Sequence, residues 1–140
     1  METELGIAFK TGIGSGKLYE DRYRILDARV PVVREADRGF IYGVMDGVGG
    51  APKGMAAAQL LAQRLIRFFE PENTDPTAAA IEHPLKRANE DIAGWGRIPG
   101  TDRPLGAAAL TVAWFSPDNS VQLFHAGDTT AYRFDGANLV

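Results

Sequence analysis

The hydrophobic positions of this chain change period twice along its length. Residues 5–9 form a short apolar run that predicts a first strand, and residues 11–16 form a glycine-rich loop. Over residues 23–33 apolar and polar positions alternate. Tyr23 and Ile25 fall on one side and Arg22 and Arg24 on the other, which predicts a second strand ending near Pro31. Residues 35–39 read as a hairpin turn. Residues 40–45 are apolar enough to predict a third strand buried on both faces.

The period then lengthens to that of a helix. Between residues 52 and 69, Ala57, Leu61, Leu65, Phe68 and Phe69 recur at helical spacing, with Gln59, Gln63, Arg64 and Arg67 opposite. Pro71 stops this helix. Asp75-Pro76 supplies an N-cap and a first-turn proline for a second helix, whose apolar stripe is Ile81, Leu85, Ala88 and Ile92. Pro84 interrupts that stripe and predicts a kink or two short helices; Gly94 and Gly96 end it. After a polar loop over residues 98–105, strand periodicity returns. Strands are expected over 107–115, 121–126 and 131–134, joined by a turn at 116–119 and a tight connection at 127–129. Asp135-Gly136 is a hairpin turn, and a further strand starts at Leu139-Val140. Three strands, a helical pair and a meander define an α+β class, with antiparallel sheets flanked by helices, in one domain over residues 1–140.

Composition narrows the function classes. Hydrophobic residues make up 45% and charged residues 24%, which supports a packed core. The formal net charge is −3 and no Lys/Arg run occurs, so nucleic acid is not expected as the main partner. The absence of cysteine removes disulfides, thiolate metal sites and Cys nucleophiles, and fits a cytoplasmic protein. The acidic start Met1-Glu2-Thr3-Glu4 has no signal-peptide pattern, and the apolar stretches are too short to cross a bilayer, so no membrane association is expected.

The candidate chemistry centres on Asp46-Gly47-Val48-Gly49-Gly50. An apolar strand delivers a carboxylate into a glycine-rich turn, and a helix opens just after it. Hard cations such as Mg2+ and Mn2+ take oxygen ligands of this kind, and Gly47 allows a backbone carbonyl to approach an ion closely. The same residues also suit a plain strand-to-helix turn, with Asp as a cap and Gly at positive φ.

Further acidic landmarks accompany it in order: Tyr19-Glu20-Asp21 before the second strand, and Gly127-Asp128-Thr129-Thr130 between late strands, followed by Tyr132 to Gly136. With Gly106-Ala107-Ala108 between them, this set resembles the metal-dependent Ser/Thr protein phosphatases, the PPM or type 2C family. That family has an Asn-Glu-Asp-like start, a D-G-x-G-G turn, a Gly-Thr-Thr-like strand and a G-D-S-R turn followed by a strand and "DG".

The resemblance implies an α-β-β-α sandwich of two antiparallel sheets with helices outside. It implies hydrolysis of phosphoserine or phosphothreonine by a water bridging two Mn2+ or Mg2+ ions. Asp46 matches the catalytic, metal-bridging carboxylate, and the Gly47 carbonyl a direct metal ligand. Glu20 matches a residue holding metal-bound water, Asp21 a neighbouring carboxylate, and Asp128 a position linked to an additional, weaker metal site. The implied partner is a phosphoprotein substrate or a kinase-pathway component.

The sequence departs from the family in several places. The family domain continues beyond the counterpart of residue 140 and carries two more metal aspartates there, so the chain is expected to be an N-terminal portion with a weak or partial metal site. The family's phosphate-binding arginine falls on Gly16, which leaves Lys17 as the nearest cation and the candidate phosphate ligand. Ala107-Ala108 replace the usual hydroxyl residues, and Thr130 stands where Arg is common. His125 reads as a packed or edge histidine, His83 as helix surface, and Trp95 and Trp114 as core anchors. A non-catalytic phosphatase-like binding or regulatory module is the alternative function. Strands left without partners predict a homo-oligomer through residues 121–126 and 131–134.

Overall fold

The structure is a computed structural model that describes residues 4–8 and 19–140. Its elements in chain order are β1 (Arg22–Leu26), α1 (Pro31–Ala36), β2 (Phe40–Gly47), α2 (Gly54–Arg64), a 3-10 turn (Leu65–Phe69), α3 (Ala79–Ala93), β3 (Ala108–Phe115) and β4 (Val121–Ala126). The four strands make one antiparallel sheet in the order β1-β2-β3-β4. The α+β class therefore stands, and the described residues contain this single sheet.

One face of the sheet is covered and the other is open. Ile41 and Met45 of β2, and Leu110, Val112 and Trp114 of β3, are buried with Ala57, Ala58, Leu61, Leu65, Ile81 and Ala88 of the helical layer. The helical stripes read from the sequence are the ones that pack. At the far end, Trp114 Nε1 donates to the Arg38 carbonyl at 2.8 Å, Phe68 meets Trp114 edge-on at 5.3 Å, and the Arg38 guanidinium lies 4.1 Å from the Phe68 ring centre. Trp114 is thus a core anchor.

Several expected elements are corrected. The strand over residues 5–9 does not form at Leu5–Ala8, and Phe9 lies outside the described residues, as does the loop at 11–16. The strand over 23–33 stops at Leu26; Pro31 is the first residue of α1, where its missing N–H costs nothing. Residues 35–39 are the end of that helix and its exit, with Asp37 left-handed at φ 50°. β2 is not buried on both faces. Its burial alternates, and Val44 is 49% exposed on the open face.

The first long helix breaks at Leu65 into the 3-10 turn rather than running to Phe69. Asp75 accepts from the Thr77 N–H at 2.8 Å in a local turn, but α3 begins four residues after Asp75, so Asp75 does not cap it. Pro84 lies inside one continuous α3 rather than between two short helices. Residues 131–134 are not a strand. A single bridge between Phe134 and Leu139, with Asp135 Oδ1 accepting from the N–H of Ala137 and Asn138, makes a small isolated turn. The hairpin turn at Asp135-Gly136 is therefore present, and Leu139-Val140 closes it rather than opening a strand. The β3–β4 hairpin agrees with the sequence reading, with Asn119 left-handed in its turn. No helix among the described residues is long and apolar enough to cross a membrane.

Candidate acidic site

Three chain segments bring carboxylates to one end of the open sheet face. Asp46 is the penultimate residue of β2, on the open face by alternation. Glu20 and Asp21 precede β1, and Asp128 follows β4. The sheet order places β1 beside β2, while β3 separates β2 from β4.

The entrance segment is pinned by Arg22. Its Nη1 donates to the carbonyl oxygens of Asp21 at 2.6 Å and Tyr19 at 3.3 Å, and its Nε donates to Gln59 Oε1 of α2 at 2.9 Å. The turn after Asp46 is tied down from the other side. The Val48 N–H donates to the Ala107 carbonyl at 2.9 Å, and the Lys53 N–H donates to the Leu105 carbonyl at 2.8 Å. Between these anchors the chain crosses itself at Gly47 and Gly54. A Cβ on Gly47 would lie 2.6 Å from the Gly54 carbonyl and 2.9 Å from the Glu20 carbonyl oxygen, and one on Gly54 would lie 3.3 Å from Glu20 Oε2. Glycine is needed there for close approach, whereas the positive φ of the turn falls at Gly50. The Glu20 carboxylate is thus held beside the start of α2.

The electrostatics single out Asp46. Its carboxyl is raised above the ordinary aspartate value, first by partial burial, then by a side-chain hydrogen bond with Asp21, then by the charges of Asp21, Asp128 and Glu20. The residue as a whole remains exposed by area. A solvent-facing side chain is only partly desolvated, so the crowding of carboxylates outweighs burial there. The Tyr19 phenol is also raised, by burial, by the charge of Asp21 and by a hydrogen bond to it, with Asp46 adding further.

The residues expected from the sequence divide clearly. Glu20, Asp21 and Asp128 are each brought within electrostatic reach of Asp46, and Gly47 lies at the crossing beside Glu20. Lys17 lies outside the described residues. Among the described residues no group of three or more His, Cys, Asp or Glu side chains is spaced to hold a metal ion. The donor chemistry fits a hard divalent cation, since all the candidate donors are oxygen.

Four contributors carry no role in the sequence analysis. Tyr19 was visible only as a neighbour of the acidic pair. Thr111 and Thr129 were passed over; strand alternation puts Thr111 on the Asp46 face, which was the available signal. Arg103 Nη2 lies 3.5 Å from where a Gly50 Cβ would stand, contributed by a loop distant in sequence. Compared with known proteins, the chain matches no protein-family profile, no curated protein and no solved structure.

Proposed function

We propose that the acidic end of the sheet is the divalent-cation site of a metal-dependent phosphoprotein (Ser/Thr) phosphatase, or of part of one, built on a PPM-like sheet-and-helix frame. The raised carboxyl of Asp46, crowded by Asp21, Asp128 and Glu20 from two other segments, carries this reading. Carboxylates that crowd Asp46 form a site of unmet negative charge, and a cation relieves it. Asp46 and Asp21 would hold Mn2+ or Mg2+, with Glu20, the Gly47 carbonyl and Asp128 in support. When bound, such an ion supplies an acidified water and neutralises charge on phosphoryl oxygens. The chain's own residues do the positioning: Arg22 fixes the Tyr19–Asp21 segment, and the Gly47–Gly54 crossing fixes Glu20. A phosphoprotein is the proposed substrate and the cytoplasm the proposed location. The second reading, a non-catalytic phosphatase-like module, is favoured by the partial spacing of the donors.

Calorimetric titration with Mn2+ tests the site. The expected result is weak binding of one ion, lost in Asp46→Asn. Equal binding by the two proteins removes Asp46 from the site and with it the cation reading.

A further inference from the structure

The turn carrying Asp128 is held to the sheet at two points. At the first, Gly127 rests on Ala109: a Cβ on Gly127 would fall 2.5 Å from Ala109 Cβ, and Ala109 is the β3 residue paired with Asp46. At the second, Thr111 reaches across. Its Oγ1 lies 3.0 Å from Nδ1 of His125, its register partner on β4, and 2.7 Å from Thr129 Oγ1. Thr111 is a buried polar residue, only 7% exposed, on an otherwise open face. A hydroxyl has one proton to donate and lone pairs to accept, so it can serve both partners at once.

From this geometry we infer that Thr111 is a positioning residue for Asp128: its shared hydroxyl fastens residues 127–129 to β3 and keeps the Asp128 carboxylate beside Asp46. The fastening stands on the contacts alone, and only its consequence for metal affinity rests on the cation-site reading. Thr111→Val keeps the shape and removes the hydroxyl. His125 is exposed and Thr129 partly so, so water can take over both partners and the fold survives the change. Thr111→Ser keeps the hydroxyl and removes the methyl.

The test compares native chain, Thr111→Val, Thr111→Ser and Asp128→Asn by backbone 15N relaxation without metal and by Mn2+ calorimetry. In Thr111→Val the order parameters of residues 127–129 should fall from the rigid value of about 0.85 toward about 0.6, while Thr111→Ser stays native-like. Mn2+ affinity should drop by the same factor, about tenfold, in Thr111→Val and Asp128→Asn, with no further loss in the double variant. Native order parameters in Thr111→Val, or equal loosening in both Thr111 variants, overturn the inference. Loosening confined to Thr111→Val in a chain that takes up no Mn2+ supports the positioning role and overturns the cation reading instead.

Discussion

Asp46, near the end of β2, has its carboxyl raised above the ordinary aspartate value by partial burial and by Asp21, at the entrance to β1. Each negative charge placed there opposes the ionisation of Asp46 when no cation is present. That relationship gives the site its pH dependence and its demand for positive charge.

The first prediction concerns stability against pH in metal-free buffer. A carboxyl whose pKa is higher in the folded than in the unfolded chain holds its proton more tightly when folded. Its ionisation therefore opposes folding above the folded value, and the opposition is relieved as pH falls through that value toward the unfolded one, about 3.9. Asp46→Asn removes the opposition. The variant should melt higher than the native chain at pH 7, and the gain should disappear near pH 4. Thermal melts across that range check this; a lower melting point at pH 7 would contradict it.

Catalysis should be feeble. In-line displacement between two ions needs a site that holds both, and among the described residues no group of three or more His, Cys, Asp or Glu side chains is spaced to hold even one. With Mn2+ and p-nitrophenyl phosphate, turnover by this chain should stay within about tenfold of Mn2+ alone, about 1.4 kcal/mol of barrier. Strong Mn2+-dependent turnover that Asp46→Asn abolishes would show a more complete site.

Gly47→Ala should be costly although the added group is one methyl. Its Cβ would sit 2.6 Å from the Gly54 backbone, and no rotation of a side chain relieves a clash between main chains. Overpacking of this kind costs about 1–3 kcal/mol. Denaturant unfolding should show a loss of that order. Because the crossing also positions Glu20, Mn2+ binding by the folded fraction should weaken too.

Self-association should involve β4 and the open face. Val121 and Leu123 of β4 are 49% and 58% exposed, Tyr23 and Val44 share their face, and β4 is an edge strand. Light scattering should detect a dimer or larger species that Leu123→Lys disrupts. A monomer at all concentrations would rule this out. The segment 131–134 is not part of this prediction as a strand, since it forms only an isolated bridge.

Where the sequence was legible, short-range chemistry was enough. The α2 and α3 stripes, the β3–β4 hairpin and the strand end at Asp46 follow from periodicity and turn residues within about ten positions. The segments that were misread show the limit. The strand expected over residues 23–33 and the turn expected over 35–39 give way at Pro31, which opens a helix that buries Val33. Residues 131–134 have strand composition, yet among the described residues their pairing is confined to the Phe134–Leu139 bridge and the Arg133–Val140 hydrogen bonds beside it, and strands need partners to exist.

The sequence by itself determined the class of fold, the acidic landmarks and the glycines around Asp46, because these depend on local backbone preference and residue type. Only the tertiary structure decided that Glu20, Asp21 and Asp128 all act on Asp46. It also decided that Thr111 reaches the turn carrying Asp128, and that these carboxylates stop short of a closed cage. The reason is range. A carboxylate's pKa and a cation's coordination depend on spatial proximity between residues far apart in the chain, as Asp46 and Asp128 are. Those distances are set by strand register and by where a missing Cβ lets two segments touch.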